Sequence, residues 1–178
     1  MVINVARIRK DFGSSEEFNL DVEIKSLDVS GEAVEFTRPV EVQVRATNLG
    51  NAILLQGRIQ TEVKLTCSRC LESFHLGVDT EFAEEMVHVS DVPAYIADHP
   101  ESEEEENYSV YSADELELTP RIIEHLVLAL PMKPLCFEEC KGLCPKCGRN
   151  LNLDGQCNCD LRQIDPRLAG LAKLLSKE

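Results

Sequence analysis

Cys144-Pro-Lys-Cys147-Gly148 sets two thiols on a reverse turn, and Cys157-Asn-Cys159 follows after a short polar stretch. Thiolates are metal ligands, and a glycine after the second cysteine can take the left-handed conformation that lets backbone N–H groups face sulfur. Asp154-Gly155 is a hairpin turn signal between the two pairs. A short hairpin would therefore gather Cys144, Cys147, Cys157 and Cys159 around one tetrahedral zinc, closed by four sulfurs at about 2.3 Å, which is a structural site. The second pair has one intervening residue where a zinc ribbon usually has two, so Cys140 or Cys136 stands as an alternative to Cys157 or Cys159. The other four thiols, Cys67, Cys70, Cys136 and Cys140, make a second tetrathiolate if the Cys67-Ser-Arg-Cys70 turn packs against the ribbon.

Other chemistries compete for the same residues. Cys67 and Cys70 have the spacing of a thiol-disulfide oxidoreductase pair, and Arg69 between them could lower a thiol pKa. Such pairs normally open a helix beside a βαβ unit, whereas these flanks alternate like antiparallel strands. A catalytic zinc would keep an open position and recruit histidine or carboxylate. His75, His88, His99 and His125 show no ligand spacing to one another and read as ordinary surface histidines. No phosphate-cradling loop, nucleophile elbow or paired-carboxylate arrangement stands out.

The elements that must position these thiols are mostly strands. Phe18, Leu20, Val22 and Ile24 alternate with polar residues, as do Val40, Val42, Val44 and Ala46. Gly50-Asn51 turns into a strand from about Leu54 to Thr66 carrying Ile59, Val63 and Leu65; the next carries Phe74, Leu76, Val78 and Phe82. The first cysteine pair thus falls at the tip of a β-hairpin. Thr119 as N-cap and Pro120 predict a helix with Ile122, Ile123, Leu126, Val127 and Leu130 on its apolar face, stopped by Pro131 and Pro134. A short last helix from Asp165-Pro166 presents Leu168, Leu171 and Leu175. The fold class expected is α+β: an antiparallel β-rich domain over 1–96, an acidic linker over 97–118, and a helix, zinc-ribbon-like module and short helix over 119–178.

The chain has 178 residues and a formal net charge of −14. Lacking a signal-peptide run or an apolar stretch of membrane-spanning length, it reads as cytoplasmic, where thiols stay reduced and the disulfide reading falls away for most of the eight cysteines. The linker holds nine acids and no Lys or Arg, including Glu103, Glu104, Glu105 and Glu106. Phosphate repels such a chain overall, which weighs against RNA, but binding of a basic ribosomal protein and binding of precursor RNA both stay open. Lys141, Lys146 and Arg149 are the candidates for a local basic patch.

Cys-x-Arg-Cys-Leu-x-x-Phe at Cys67 to Phe74, Leu-Ala-Leu-Pro-Met-Lys-Pro at Leu128 to Pro134, and the run from Cys136 to Asn152 together resemble the bacterial YceD family. The resemblance implies a role in ribosome biogenesis, since members are described as large ribosomal RNA subunit accumulation proteins. Some members keep the hairpin cysteines without the later cluster, which implies that Cys67, Arg69 and Cys70 are the shared functional residues. The expected function is then a non-enzymatic factor supporting 23S ribosomal RNA accumulation. Its expected partner is a large-subunit ribosomal protein or pre-ribosomal particle, engaged through the hairpin tip and Glu103 to Glu106, with structural Zn²⁺ and no membrane. The alternatives are the oxidoreductase and a zinc-ribbon adaptor of another nucleic-acid machine.

Overall fold

Alternating buried and exposed side chains organise the computed structural model of the protein, which describes residues 1–29, 31–99, 108–153 and 157–159. Glu103 to Glu106, the Asp154-Gly155 turn and the helix expected from Asp165 lie outside the described residues. In chain order the elements are β1 (Val2–Asn4), a 3-10 turn (Ile8–Lys10), β2 (Ser15–Val22), β3 (Ser26–Val29), β4 (Glu32–Phe36), β5 (Val40–Asn48), β6 (Ile53–Thr66), β7 (Ser73–His88), α1 (Val92–Asp98), β8 (Ser109–Tyr111), β9 (Glu115–Glu117) and α2 (Thr119–Ala129).

The sheet grows around β5, whose Val40, Val42, Val44 and Ala46 are each no more than 2 % exposed. It pairs antiparallel with β2 and with the first part of β6, in the register Phe18↔Val44↔Gly57. β6 is longer than β5, and its far end pairs with β4, which continues to β3. β7 also pairs with β6. The sheet is mostly antiparallel, while Met86, Val87 and His88 run parallel to β8. Buried Asn48 secures the start of this layer: its Nδ2 donates to the carbonyls of Ile8 and Asp11 at 2.9 and 3.1 Å, and its Oδ1 accepts from Gly50 N–H at 2.7 Å.

The chain divides into two compact units, Met1–Leu65 with Ser73–Pro134, and Thr66–Glu72 with Leu135–Glu178. This differs from the expected boundaries in two ways. First, α2 belongs to the β unit: Ile122 and Leu126 join the same core cluster as Ile59, Val63 and Phe82. Second, the acidic stretch is not a plain linker throughout. Leu116 and Leu118 are 1 % exposed, and β9 pairs with β1 through Leu116 opposite Ile3. Average composition concealed these two leucines, whose burial at alternate positions ties the segment down. The helix α1, which period-two reading passed over, buries Tyr95 against Tyr108, ring centroids 4.8 Å apart.

The N-terminus of α2 also departs from expectation. Leu118 is the N-cap and Thr119 lies inside the helix without a side-chain cap bond, its hydroxyl accepting from the Met1 amino group at 2.5 Å. At the other end Leu130 is extended, φ −74° and ψ 137°, as the residue before a proline must be. His125 on this helix stacks on Phe82 at 5.1 Å and meets Glu84 Oε1 at 2.8 Å.

Candidate metal centres

Two turns of identical backbone pattern present the leading cysteines. In the first, Cys67 N–H donates to Glu72 O at 2.9 Å and Leu71 N–H to Cys67 O at 2.9 Å. In the second, Cys144 N–H donates to Arg149 O at 2.8 Å and Gly148 N–H to Cys144 O at 2.9 Å. Both need a left-handed residue directly after the second cysteine, and there Leu71 has φ 61° and Gly148 has φ 71°. Glycine takes this conformation freely; leucine does so at a cost of about 1–2 kcal/mol. Because Leu71 is 65 % exposed and has little packing to lose, Leu71→Gly is expected to stabilise its unit by up to about 1 kcal/mol. Thermal unfolding of the metal-loaded protein measures it, and a lowered midpoint would show that the leucine side chain is needed where it stands.

The remaining ligand atoms come from the segment after Pro134. Arg69 Nη1 donates to the carbonyls of Cys140 and Glu138 at 2.8 and 3.2 Å, and Leu143 N–H donates to Arg69 O at 3.0 Å. Gly142, with φ 74°, makes this approach feasible, since a Cβ there would lie 2.8 Å from Arg69 O. Asn152 completes the surround: its Nδ2 reaches Cys140 Sγ at 3.2 Å and its Oδ1 accepts from Lys141 N–H at 2.8 Å. N–H groups aimed at sulfur hold thiolates in place and temper their charge. The roles of Arg69, Gly142 and Asn152 in building this loop were not visible from spacing, although Asn152 closes the motif that carried the resemblance.

The eight cysteines form two groups of four, Cys67, Cys70, Cys136 and Cys140, and Cys144, Cys147, Cys157 and Cys159; within each group the sulfurs all lie within 4.8 Å of one another. Four sulfurs about 2.3 Å from a tetrahedral centre stand about 3.8 Å apart. Cys67 to Cys140 and Cys70 to Cys136 are both 3.7 Å. In the second group Cys144 to Cys157 is 3.2 Å, and Lys146 N–H points to Cys144 Sγ at 3.4 Å. Each set can hold a metal ion. Cys136 and Cys140 thus stand beside the hairpin-tip pair, and Cys157 and Cys159 beside Cys144 and Cys147.

The two groups differ in cover. Cys67, Cys70 and Cys140 are buried and Cys136 half-buried, whereas Cys147 is exposed and Cys157 and Cys159 are half-buried. Burial pushes the Cys67 thiol up, but the backbone N–H groups of Cys136, Cys70 and Arg69 overcome it and bring the pKa down to about 6. The N–H groups of Cys147 and Lys146 bring Cys144 to about 6 as well. Burial and the neighbouring sulfurs push Cys136 up to about 12; the Cys147 sulfur and burial do the same to Cys159. Like charges this close do not all form unless a cation compensates them.

No histidine belongs to either group among the described residues. His75 faces Glu62, His88 faces Ser90, His99 meets Tyr95 O and His125 meets Glu84. Lys141, Lys146 and Arg149 are exposed. No described helix is long and apolar enough to cross a membrane.

Comparison with known proteins bears on the same segments. The protein YlbN of Bacillus subtilis is 29% identical over 165 residues, covering 92% of this chain and 90% of the relative. Rv2926c of Mycobacterium tuberculosis is 26% identical, covering 100% of this chain and 83% of the relative. An Arabidopsis thaliana chloroplast protein named large ribosomal RNA subunit accumulation protein YCED homolog 1 is 27% identical over 76% of this chain and 48% of its own length. The chain thus spans about half of that plant relative. No solved structure matches. The family model described as large ribosomal RNA subunit accumulation protein YceD matches residues 55–175, from the middle of the sheet through both cysteine groups, and the chain belongs to the YceD family.

Proposed function

We propose that the protein is a non-enzymatic assembly factor of the large ribosomal subunit, which supports accumulation of 23S ribosomal RNA by binding a basic ribosomal protein, and that both cysteine groups hold structural zinc. Membership of a family described by ribosomal RNA accumulation carries the first part of this reading; the names of two plant relatives support it. Zinc is favoured because four thiolates in a tetrahedral set suit it and leave no open position for catalysis.

The thiol oxidoreductase is disfavoured by the same geometry. A redox cysteine is partly exposed and ready to be attacked, whereas Cys67 is 0 % and Cys70 4 % exposed, with sulfur neighbours in Cys140 and Cys136. We assign Cys67 and Cys70 to metal, and Arg69 to the loop that brings Cys136 and Cys140 to them. The basic-protein partner is favoured over RNA by a net charge of −14 and by the run Glu103 to Glu106 in a stretch of sequence without Lys or Arg. Exposed Lys141, Lys146 and Arg149 favour RNA as the second reading.

Affinity purification of the full chain from growing cells tests this directly. Large-subunit precursors and basic ribosomal proteins are expected in the eluate, with retention that falls as salt rises. A clean absence of ribosomal components would sink the assembly role. Recovery of RNA after all ribosomal protein has been stripped would favour the second reading.

A further inference from the structure

The outer edge of β2 is open. All eight of its residues pair in unbroken register with β5, from Ser15↔Thr47 to Val22↔Val40, and β2 ends the strand order. Among the described residues, no other backbone segment hydrogen-bonds to Glu16–Val22. Sheets normally blunt such an edge with a proline, a bulge, a very short strand or charges. Here there is no proline, the pairing shows no bulge, and the strand is longer than the usual five or six residues. What remains is charge, all of one sign: Asp11, Glu16, Glu17, Asp21 and Glu23 occupy residues 11–24 without a lysine or arginine. Glu17 is engaged by Arg45; Glu16, Asp21 and Glu23 form no ion pair with a described residue.

Such an edge discriminates between strands that could add to it. A second copy docking antiparallel about Asn19 would set Glu17 opposite Asp21 in both directions, since directly opposite residues share a sheet face and these two lie on the same one. Like charges directly across a strand pair are destabilising. A strand bearing Lys or Arg meets the same acids favourably while its backbone satisfies the open N–H and C=O groups. Main-chain bonds then supply affinity and alternate side chains supply selection. A polar trough also crosses the sheet from this edge, beginning between Glu17 and Asn19 and passing Gln43, Arg45 and Arg58. It offers room for a long polar side chain from an added strand.

We propose that β2 is a docking edge for an extended, Lys- and Arg-bearing segment of a basic partner protein, which joins the sheet as an additional strand. This deepens the assembly-factor reading and rests on it for the class of partner; the edge is separate from both cysteine groups.

The test uses the full metal-loaded chain and three synthetic peptides: twelve residues of alternating Lys and Val, the same length of alternating Glu and Val, and a Lys-Val peptide with proline at every fourth position. The first is expected to bind and to slow hydrogen exchange of amides in Ser15–Val22. The proline peptide keeps almost the same charge but cannot form the ladder, and is expected to bind about tenfold more weakly or less. The Glu-Val peptide is expected not to bind. A triple variant, Glu16→Lys, Asp21→Lys and Glu23→Lys, should weaken Lys-Val binding by about tenfold or more while leaving thermal unfolding in place. Equal affinity for the proline peptide, or unchanged β2 exchange at saturation, would overturn the proposal. So would β2 amides already fully protected in the free chain, because another segment would then cover the edge. If the edge fails while the chain still retrieves large-subunit precursors from cells, the assembly reading stands without it; if no ribosomal component is retrieved, the partner class fails as well.

Discussion

Cys140→Ser is expected to lower bound zinc from about two equivalents to about one and to unfold the loop from Leu135 to Leu143. Cys140 is 2 % exposed, lies 3.7 Å from Cys67 Sγ and receives the Asn152 side chain, so a serine there removes a ligand from a closed set. Within the unit formed by Thr66–Glu72 and the segment from Leu135 onward, the described buried apolar residues are Cys67, Cys70, Cys140 and Cys144 alone. A unit whose interior is cysteine has no hydrophobic core to fall back on, and structural zinc contributes folding free energy of about 10 kcal/mol or more in small modules. Metal analysis together with hydrogen exchange over Thr66–Glu72 and Leu135–Leu143 measures the loss. The β unit, with its own core, is expected to unfold at an unchanged midpoint. Cys147→Ser, at the exposed group, is the companion variant: it too should release about one equivalent, but leave exchange at Thr66–Glu72 slow. Two equivalents retained by Cys140→Ser would overturn the buried centre.

Gly57→Ala is expected to destabilise the β unit by about 2 kcal/mol, although alanine in a strand interior would ordinarily be the better residue by about 0.5–1 kcal/mol. A Cβ on Gly57 would sit 2.4 Å from Phe82 Cε1, 2.6 Å from its Cζ and 2.9 Å from Gln43 O. Phe82 is 7 % exposed and stacked on His125, which in turn bonds Glu84. Moving the ring therefore disturbs the packing of α2 on β7 as well as β6. Urea unfolding of the variant gives the cost, and Phe82→Leu in the Gly57→Ala background should recover part of it. A variant as stable as the parent would mean that the ring does not rest on Gly57.

Strand faces were legible wherever a residue's environment depends on its immediate neighbours. Val40, Val42, Val44 and Ala46 declare an inward face by period alone, because successive side chains of a strand point to opposite sides, and they are the buried centre of the sheet. Gly148 announced its left-handed turn in the same local way. Legibility failed where composition stood in for position. Leu116 and Leu118 were averaged into an acidic stretch, and their burial appears only once β9 pairs with β1. The α2 cap was read from Thr119, whose hydroxyl has a partner 118 residues away in sequence.

The sequence by itself determined the strand alternation, the apolar face of α2, the two cysteine turns and the family, because each of these depends on residues close together along the chain. Spacing proposed two cysteine groups with alternatives for Cys157 and Cys159, and tertiary structure decided which thiols stand near one another. Cys70 and Cys136 are separated by 66 residues and meet at 3.7 Å, a distance set by the turn that carries Cys67 and Cys70, by Arg69 holding the following loop, and by a glycine at 142 that lets the two backbones approach. It also decided that α2 packs on the β unit, since an apolar helix face specifies that it must be covered but not by what.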